Sequence, residues 1–204
     1  MTRFGFPISL DVWEKRCLVL GGGFEATDKA KKLVAAGAKV QVIAAEVEDE
    51  LSAMSARGEL SWAARDWEQD DVRGVFLVML TPDDGERAVE LYRLATIHGF
   101  LLCSIDQPEL CHFASPATFH AGEVTFALSS GGRAPAVLRR LREDLEAALG
   151  TEEMADFVAA MAKLRDETPK GERAEKLRAM VEGFRVTASA TFPAWFRGRD
   201  RAGT

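Results

Sequence analysis

The stretch KRCLVLGGGFEATDKAKKLVAAGAKVQVI, residues 15–43, decides the fold. Lys15 to Leu20 is a short apolar run that ends in Gly21-Gly22-Gly23. Ala26, Ala30, Leu33, Val34 and Gly37 then recur at helical spacing, one face of a 3.6-residue period. Gly37 stops that helix, as a glycine after the last periodic residue does. Lys39 to Ile43 alternates as a second strand, so the stretch spells a βαβ unit. Gly21-x-Gly23-x-x-Ala26 sits after the strand and before the helix. There the first glycine permits a tight turn, the second admits a diphosphate against backbone, and small Ala26 lets helix pack on sheet. The helix start adds unpaired N–H groups and partial positive charge. The bland reading is that the glycines only shape a turn.

Downstream the same grammar repeats. A helix is expected around Glu48 to Arg57, a strand at Leu60 to Ala63, and a strand buried on both faces at Val75 to Leu80. Thr81-Pro82-Asp83-Asp84-Gly85 breaks the chain before a helix from Glu86 to Ile97 and a strand from Phe100 to Ile105. Alternating strands and helices predict an α/β protein with a Rossmann-like doubly wound parallel sheet. After Asp106, Pro108, Pro116 and Gly122 punctuate two strand candidates, Phe113 to Phe119 and Glu123 to Leu128, read as a hairpin. A second glycine-rich turn, Ser129 to Pro135, opens an amphipathic helix with Val137, Leu138, Leu141, Leu145 and Leu149 inward. Thr151 to about Ala190 reads as helical with a break near Pro169-Lys170-Gly171, and Arg197 to Thr204 as a frayed tail. The expected division is a dinucleotide-binding domain over 1–107, a hairpin and dimerisation segment over 108–149, and a C-terminal helical domain over 150–204.

Composition narrows the function classes. The 204 residues carry a net charge of −6, with 12 basic against 20 acidic side chains through Gly132 and 14 against 12 from Arg133 on. The mild C-terminal basicity falls short of a nucleic-acid footprint but can place arginines beside an anionic ligand. Cys17, Cys103 and Cys111 form no CxxC pair and read as buried reduced thiols. No stretch approaches the ~20 apolar residues of a membrane span, and the N-terminus lacks a long apolar core, so the expected location is the cytoplasm.

Three places can carry chemistry beside the glycine turn. The second strand ends in Ala44-Ala45, where an acid usually holds a ribose 2′-hydroxyl, and Glu46 follows one place late. It either reaches the ribose or is a helix-start charge. With no arginine in that stretch for a 2′-phosphate, NAD is expected over NADP. Asp106 lies at the C-terminal end of a strand, where ligands gather in open α/β sheets, and reads either as a general base or as a turn cap. Ser129-Ser130-Gly131-Gly132 before a helix, with Arg133, Arg139, Arg140 and Arg142 close behind, reads either as an anion cradle or as a solvated turn and helix face. His98, His112 and His120 show no metal-ligand spacing, so no metal site is expected.

Taken in order, Leu20-Gly21-Gly22-Gly23, Lys29-Ala30, Gly37 to Val40, Asp83-Asp84, Ile105-Asp106-x-Pro108-Glu109-Leu110-Cys111 and Ser129-Ser130-Gly131-Gly132-x-x-Pro135 resemble the precorrin-2 dehydrogenase/sirohydrochlorin ferrochelatase family. The resemblance runs from about Phe6 to Glu146, with a looser helical echo to about Phe184. It implies a homodimeric enzyme that uses NAD to oxidise precorrin-2, a tetrapyrrole, to sirohydrochlorin, with Fe²⁺ as a second substrate in members that also insert iron. It further implies Asp106 as the essential carboxylate. Gly21, Gly22, Gly23, Phe24, Glu25, Ala45, Glu46 and Thr81 would line the dinucleotide. Ser129, Ser130, Gly131, Gly132 and Arg133 would lie on the substrate side. Departures from the family pattern stand at Glu25, Asp28, Arg87 and Cys103. They motivate the alternative of a non-catalytic module that senses a dinucleotide or carries a tetrapyrrole.

Overall fold

A computed structural model describes residues 4–81, 85–131 and 133–197. Strands β1 (Arg16–Leu20), β2 (Lys39–Ile43), β3 (Ser61–Ala63), β4 (Leu77–Leu80) and β5 (Leu101–Ser104) form one parallel sheet in the order β3-β2-β1-β4-β5. The chain builds outward from β1 to β3, then returns to the other side of β1 as β4. The point of reversal therefore lies between β1 and β4, where open sheets leave a crevice at their carboxyl ends. The register pairs Cys17 with Val40 on one side and Leu77 on the other.

Helices α1 (Phe24–Ala35) and α2 (Asp49–Ala56) cover one face, and α3 (Glu86–His98) covers the other. Side chains alternate across β1: Cys17 and Val19 pack with Ala26, Ala30, Leu51 and Met54, while Leu18 and Leu20 pack with Ala88, Leu91, Leu94 and Ala95. Two-sided burial explains the unbroken apolar runs. Each fully buried Leu or Val contributes about 2 kcal/mol of transfer free energy, and that fixes the β1 carboxyl end that carries the glycine turn. Burial also pushes the Cys17 thiol up to about 11, so it stays protonated and unreactive.

β5 is the sheet edge. His112 covers it, donating its backbone N–H to Leu102 O at 2.8 Å and accepting the Leu102 N–H at Nδ1 at 3.2 Å. Its ring stacks on Tyr92 with centroids 5.1 Å apart. The histidine thus satisfies an exposed strand edge.

The remaining elements are β6 (Ala117–Ala121), β7 (Val124–Leu128), α4 (Pro135–Leu149), α5 (Glu152–Glu167), α6 (Arg173–Met180) and α7 (Ala194–Arg197). β6 and β7 form the expected two-stranded sheet, but β6 starts at Ala117 and not at Phe113. Pro116, which restricts the residue before it and has no N–H to give a ladder, sets that start. Phe119 stacks on Phe126 at 4.4 Å. The helical stretch expected to reach Ala190 ends at Met180, and residues 184–193 carry no regular structure. Gly183, Val186, Thr187 and Thr191 are poor helix formers, and nothing in the run offsets that preference. Nor does α4 bury its apolar stripe: it has no buried residue, and Val137 and Leu141 are exposed.

The chain divides into two compact units. One comprises the chain through Phe119 with Phe126–Leu145; the other comprises His120–Thr125 and the chain from Glu146. In the second unit Thr151 caps α5 by accepting the Met154 N–H, and Phe157 stacks on Phe184 at 5.0 Å. At the Pro169 break, Thr168 donates to Leu164 O and its own carbonyl receives Arg173 Nε. Among the described residues no helix is long and apolar enough to cross a membrane.

Candidate functional site

The site is built on the carboxyl end of β1. Gly21 has φ +121°, a conformation that side chains rarely adopt, and a Cβ there would strike the Thr81 hydroxyl. Thr81 follows β4 and donates its hydroxyl to Leu20 O at 3.0 Å, tying the ends of β1 and β4 together. A Cβ on Gly22 would strike the Glu46 carbonyl, and Gly22 O accepts the Glu48 N–H at 2.8 Å, so the turn is also closed against the segment after β2. Gly23 differs from both. It is the N-cap of α1, no side chain caps the helix, and a Cβ there would meet nothing within 4 Å. The first-turn N–H groups, which have no intrahelical acceptor, therefore start beside a residue without a side chain whose Cβ direction is open. That is the form of cradle a diphosphate fits.

The surrounding residues behave individually. Phe24 is exposed at the start of α1. Glu25, whose negative charge stands in the first turn of α1, is met by Lys29 at 3.9 Å. Lys29 also meets Asp28 at 2.9 Å. Burial alone would raise the Asp28 pKa, but hydrogen bonds from Lys32 and Lys29 outweigh it and hold the carboxyl below its usual range. Glu46 is exposed and contributes its backbone to the packing around Gly22.

A cleft of about 150 Å³ opens at the ends of β1, β2 and β4. Leu20, Gly21, Ile43, Ala44, Ala45, Leu80 and Thr81 line it together with Asp66, Trp67 and Arg87. At that size it is smaller than a pocket for a whole ligand, which runs to several hundred Å³. Glu46 is not among its lining residues. The sequence reading did not place Asp66 or Trp67 at the site and named Arg87 only as a departure from the family pattern; the first two follow β3 and the third stands at the start of α3. The arginine thought absent near this end is supplied from forty residues downstream. Arg87 Nη2 lies 3.4 Å from Asp66 Oδ1.

Asp106 lies just past β5, on the same edge of the sheet, two strands from β1, or about 10 Å at ordinary strand spacing. Its φ is +64°, the left-handed region that Asp and Asn tolerate better than other residues with side chains. It is exposed, and among the described residues its carboxylate caps no turn. Instead the turn is pinned from beneath by Cys111, whose Sγ accepts the Ser104 N–H at 3.1 Å and reaches Ser104 O at 3.0 Å and Gln107 O at 3.3 Å. The hydrogen bond with Cys111, and burial after it, push the Cys103 thiol far above its ordinary value.

At the second glycine turn, Ser129 Oγ accepts the Gly131 N–H at 3.2 Å and Ser130 Oγ accepts the Ala134 N–H at 3.0 Å. The hydroxyl oxygens shape the turn, and their protons remain to be given to an outside acceptor. Gly132 lies outside the described residues, as do Asp83 and Asp84. Arg139, Arg140 and Arg142 are engaged along α4 with Glu143 and Asp144. Arg133 is exposed at the head of the helix and makes no ion pair among the described residues. No cluster of three metal-ligating side chains occurs among the described residues.

A family described as "Putative NAD(P)-binding" matches residues 8–117. The chain is 35% identical over 161 residues to a siroheme synthase of Gluconacetobacter diazotrophicus, which covers 76% of this chain and 34% of that protein. It is 36% identical over 149 residues to siroheme synthase 1 of Pectobacterium atrosepticum, covering 71% and 31%. The chain thus spans about a third of the length of these relatives. Its fold is similar to that of SirC, a precorrin-2 dehydrogenase, with a TM-score of 0.71 at 22% identity, covering 87% of this chain and 90% of that one.

Proposed function

The chain belongs to the NAD(P)-binding family that matches residues 8–117, and from that premise we propose that it uses NAD to oxidise precorrin-2 to sirohydrochlorin in siroheme biosynthesis. The observation that carries the reading is the open face of Gly23 at an uncapped helix start, beside the reversal point of a β3-β2-β1-β4-β5 sheet. The similarity to siroheme synthases supports the substrate.

In this reading the amides of Gly23 and the first turn of α1 hold the diphosphate, with Gly21, Gly22, Phe24, Glu25, Ala45, Glu46 and Thr81 around the cofactor. The adenosine half runs toward the cleft at the ends of β1, β2 and β4, and the other half runs toward β5. Bound NAD supplies the hydride acceptor. Asp106 takes the accompanying proton, so that two electrons and two hydrogens leave the substrate as hydride and proton. Ser129, Ser130, Gly131, Gly132 and Arg133 receive the substrate, their hydroxyls and guanidinium facing its carboxylates.

The exposed apolar stripe of α4 supports a homodimer, and the three-part division at residues 107 and 149 follows the same assignment of roles. The expected site of action is the cytoplasm. Iron insertion, with Fe²⁺ as a substrate, is tested by the same experiment. Purified protein is supplied with precorrin-2 and NAD, with and without Fe²⁺. Absorbance of NADH should rise in step with formation of sirohydrochlorin, and the iron-containing product should appear only where chelation is present. Binding of both ligands without hydride transfer would sink the dehydrogenase reading and leave a carrier.

A further inference from the structure

The end of β2 carries no acid that faces the cleft. Ala44 and Ala45 line it, while Glu46 lends its carbonyl to the packing against Gly22. The carboxylate in the lining comes from elsewhere. Asp66 lies three residues past the end of β3, the strand beside β2, and enters the cleft together with Trp67. Arg87 Nη2 stands 3.4 Å from Asp66 Oδ1, and the two side chains differ in exposure: Asp66 is 80% exposed and Arg87 48%. Both groups line the cleft, and the carboxylate is the more exposed of the two. A carboxylate offers about four acceptor sites, of which the arginine occupies one.

A dinucleotide whose diphosphate rests at Gly23 and whose reactive half runs toward Asp106 must lay its adenosine half over the opposite strands, where this cleft lies. Ribose hydroxyls and the adenine amino group are donors and match a carboxylate. A 2′-phosphate is an anion: the Asp66 carboxylate repels it, and the Arg87 charge that would attract it is engaged by Asp66. We infer that Asp66, presented at the end of β3 and backed by Arg87, is the carboxylate that receives the adenosine half of the dinucleotide and selects NAD over NADP. The assignment rests on the cofactor reading above and adds the residue that sets its specificity.

The test is equilibrium titration of the full chain with NAD and with NADP, read by intrinsic tryptophan fluorescence, to which Trp67 in the cleft contributes, and repeated for Asp66→Asn, Asp66→Ala and Glu46→Gln. Asp66 is exposed, so its variants should unfold at the wild-type temperature without ligand, which separates binding from folding. Wild type should bind NAD at least about ten-fold more tightly than NADP. Both Asp66 variants should lose about ten-fold in NAD affinity, the scale of a hydrogen bond to a charged group, and the NAD to NADP ratio should shrink. An unchanged ratio in the Asp66 variants, or a loss confined to Glu46→Gln, overturns the assignment while leaving the cofactor reading intact. Wild-type protein that binds neither dinucleotide overturns both.

Discussion

Three adjacent glycines do three different things. Gly21 supplies a positive φ and clears the Thr81 hydroxyl, Gly22 clears the carbonyl of Glu46, and Gly23 clears nothing of the protein's own. The difference yields a paired prediction. Gly21→Ala should destabilise the fold by about 1–3 kcal/mol, because it adds backbone strain to a collision. Gly23→Ala should cost less than about 1 kcal/mol, the scale of a changed N-cap, yet weaken NAD binding strongly. Thermal unfolding and NAD titration of both proteins check this, and a Gly23→Ala protein that binds NAD normally would remove the diphosphate from the α1 cradle. Asp106 is a second residue-scale case. Its left-handed backbone and exposed carboxylate sit on a turn held by Cys111. Asp106→Asn keeps both shape and tolerance of that conformation, so it should bind NAD as wild type does but fail to release NADH absorbance with precorrin-2. Normal turnover in that variant would strip Asp106 of its role.

Among elements, the connection between β3 and β4 holds the cleft residues Asp66 and Trp67. Arg65 grips Asp71 with two nitrogens at 2.8 and 2.7 Å, and Asp71 also accepts the Glu68 N–H at 2.7 Å. The Arg65 hydrogen bond, with the backbone contribution of Glu68, holds the Asp71 carboxyl below its usual range. A depressed folded-state value means that its stabilisation is complete above the unfolded value of about 3.9 and is lost as pH falls through the folded one. Acid unfolding curves should therefore show Asp71→Asn less stable than wild type at neutral pH, with the gap closing below about pH 4. A gap that stays constant with pH would assign the loss to shape and not to charge. The same connection explains why the cleft was hard to read in the sequence. β3 is three residues long, and the stretch after it has no helical or strand period to announce that it returns to the sheet edge.

For the molecule as a whole, the stripe of α4 is one of several exposed apolar features. Val137 and Leu141 stand four residues apart on one helix face and are both exposed. Each apolar side chain left in water forgoes about 2 kcal/mol, so the chain should associate through this face. Light scattering on the eluting protein should give twice the 22.3 kDa chain mass, and a Val137→Glu, Leu141→Glu double variant should run as a monomer; a monomeric wild type would sink the dimer. The strands, the order of elements and the glycine turn were legible in residues 15–105 because local period and glycine placement are properties of neighbouring residues. The doubly wound parallel class followed from the same pattern, since short right-handed crossovers leave few alternatives, while the order β3-β2-β1-β4-β5 came from the structure. Only the tertiary structure decided that α4 stays uncovered, that Glu46 turns its backbone to the site, and that Asp66 and Arg87 meet at its rim. Those facts depend on contacts between residues some twenty to forty apart, and no local period in a sequence encodes which distant side chain arrives at a given strand end.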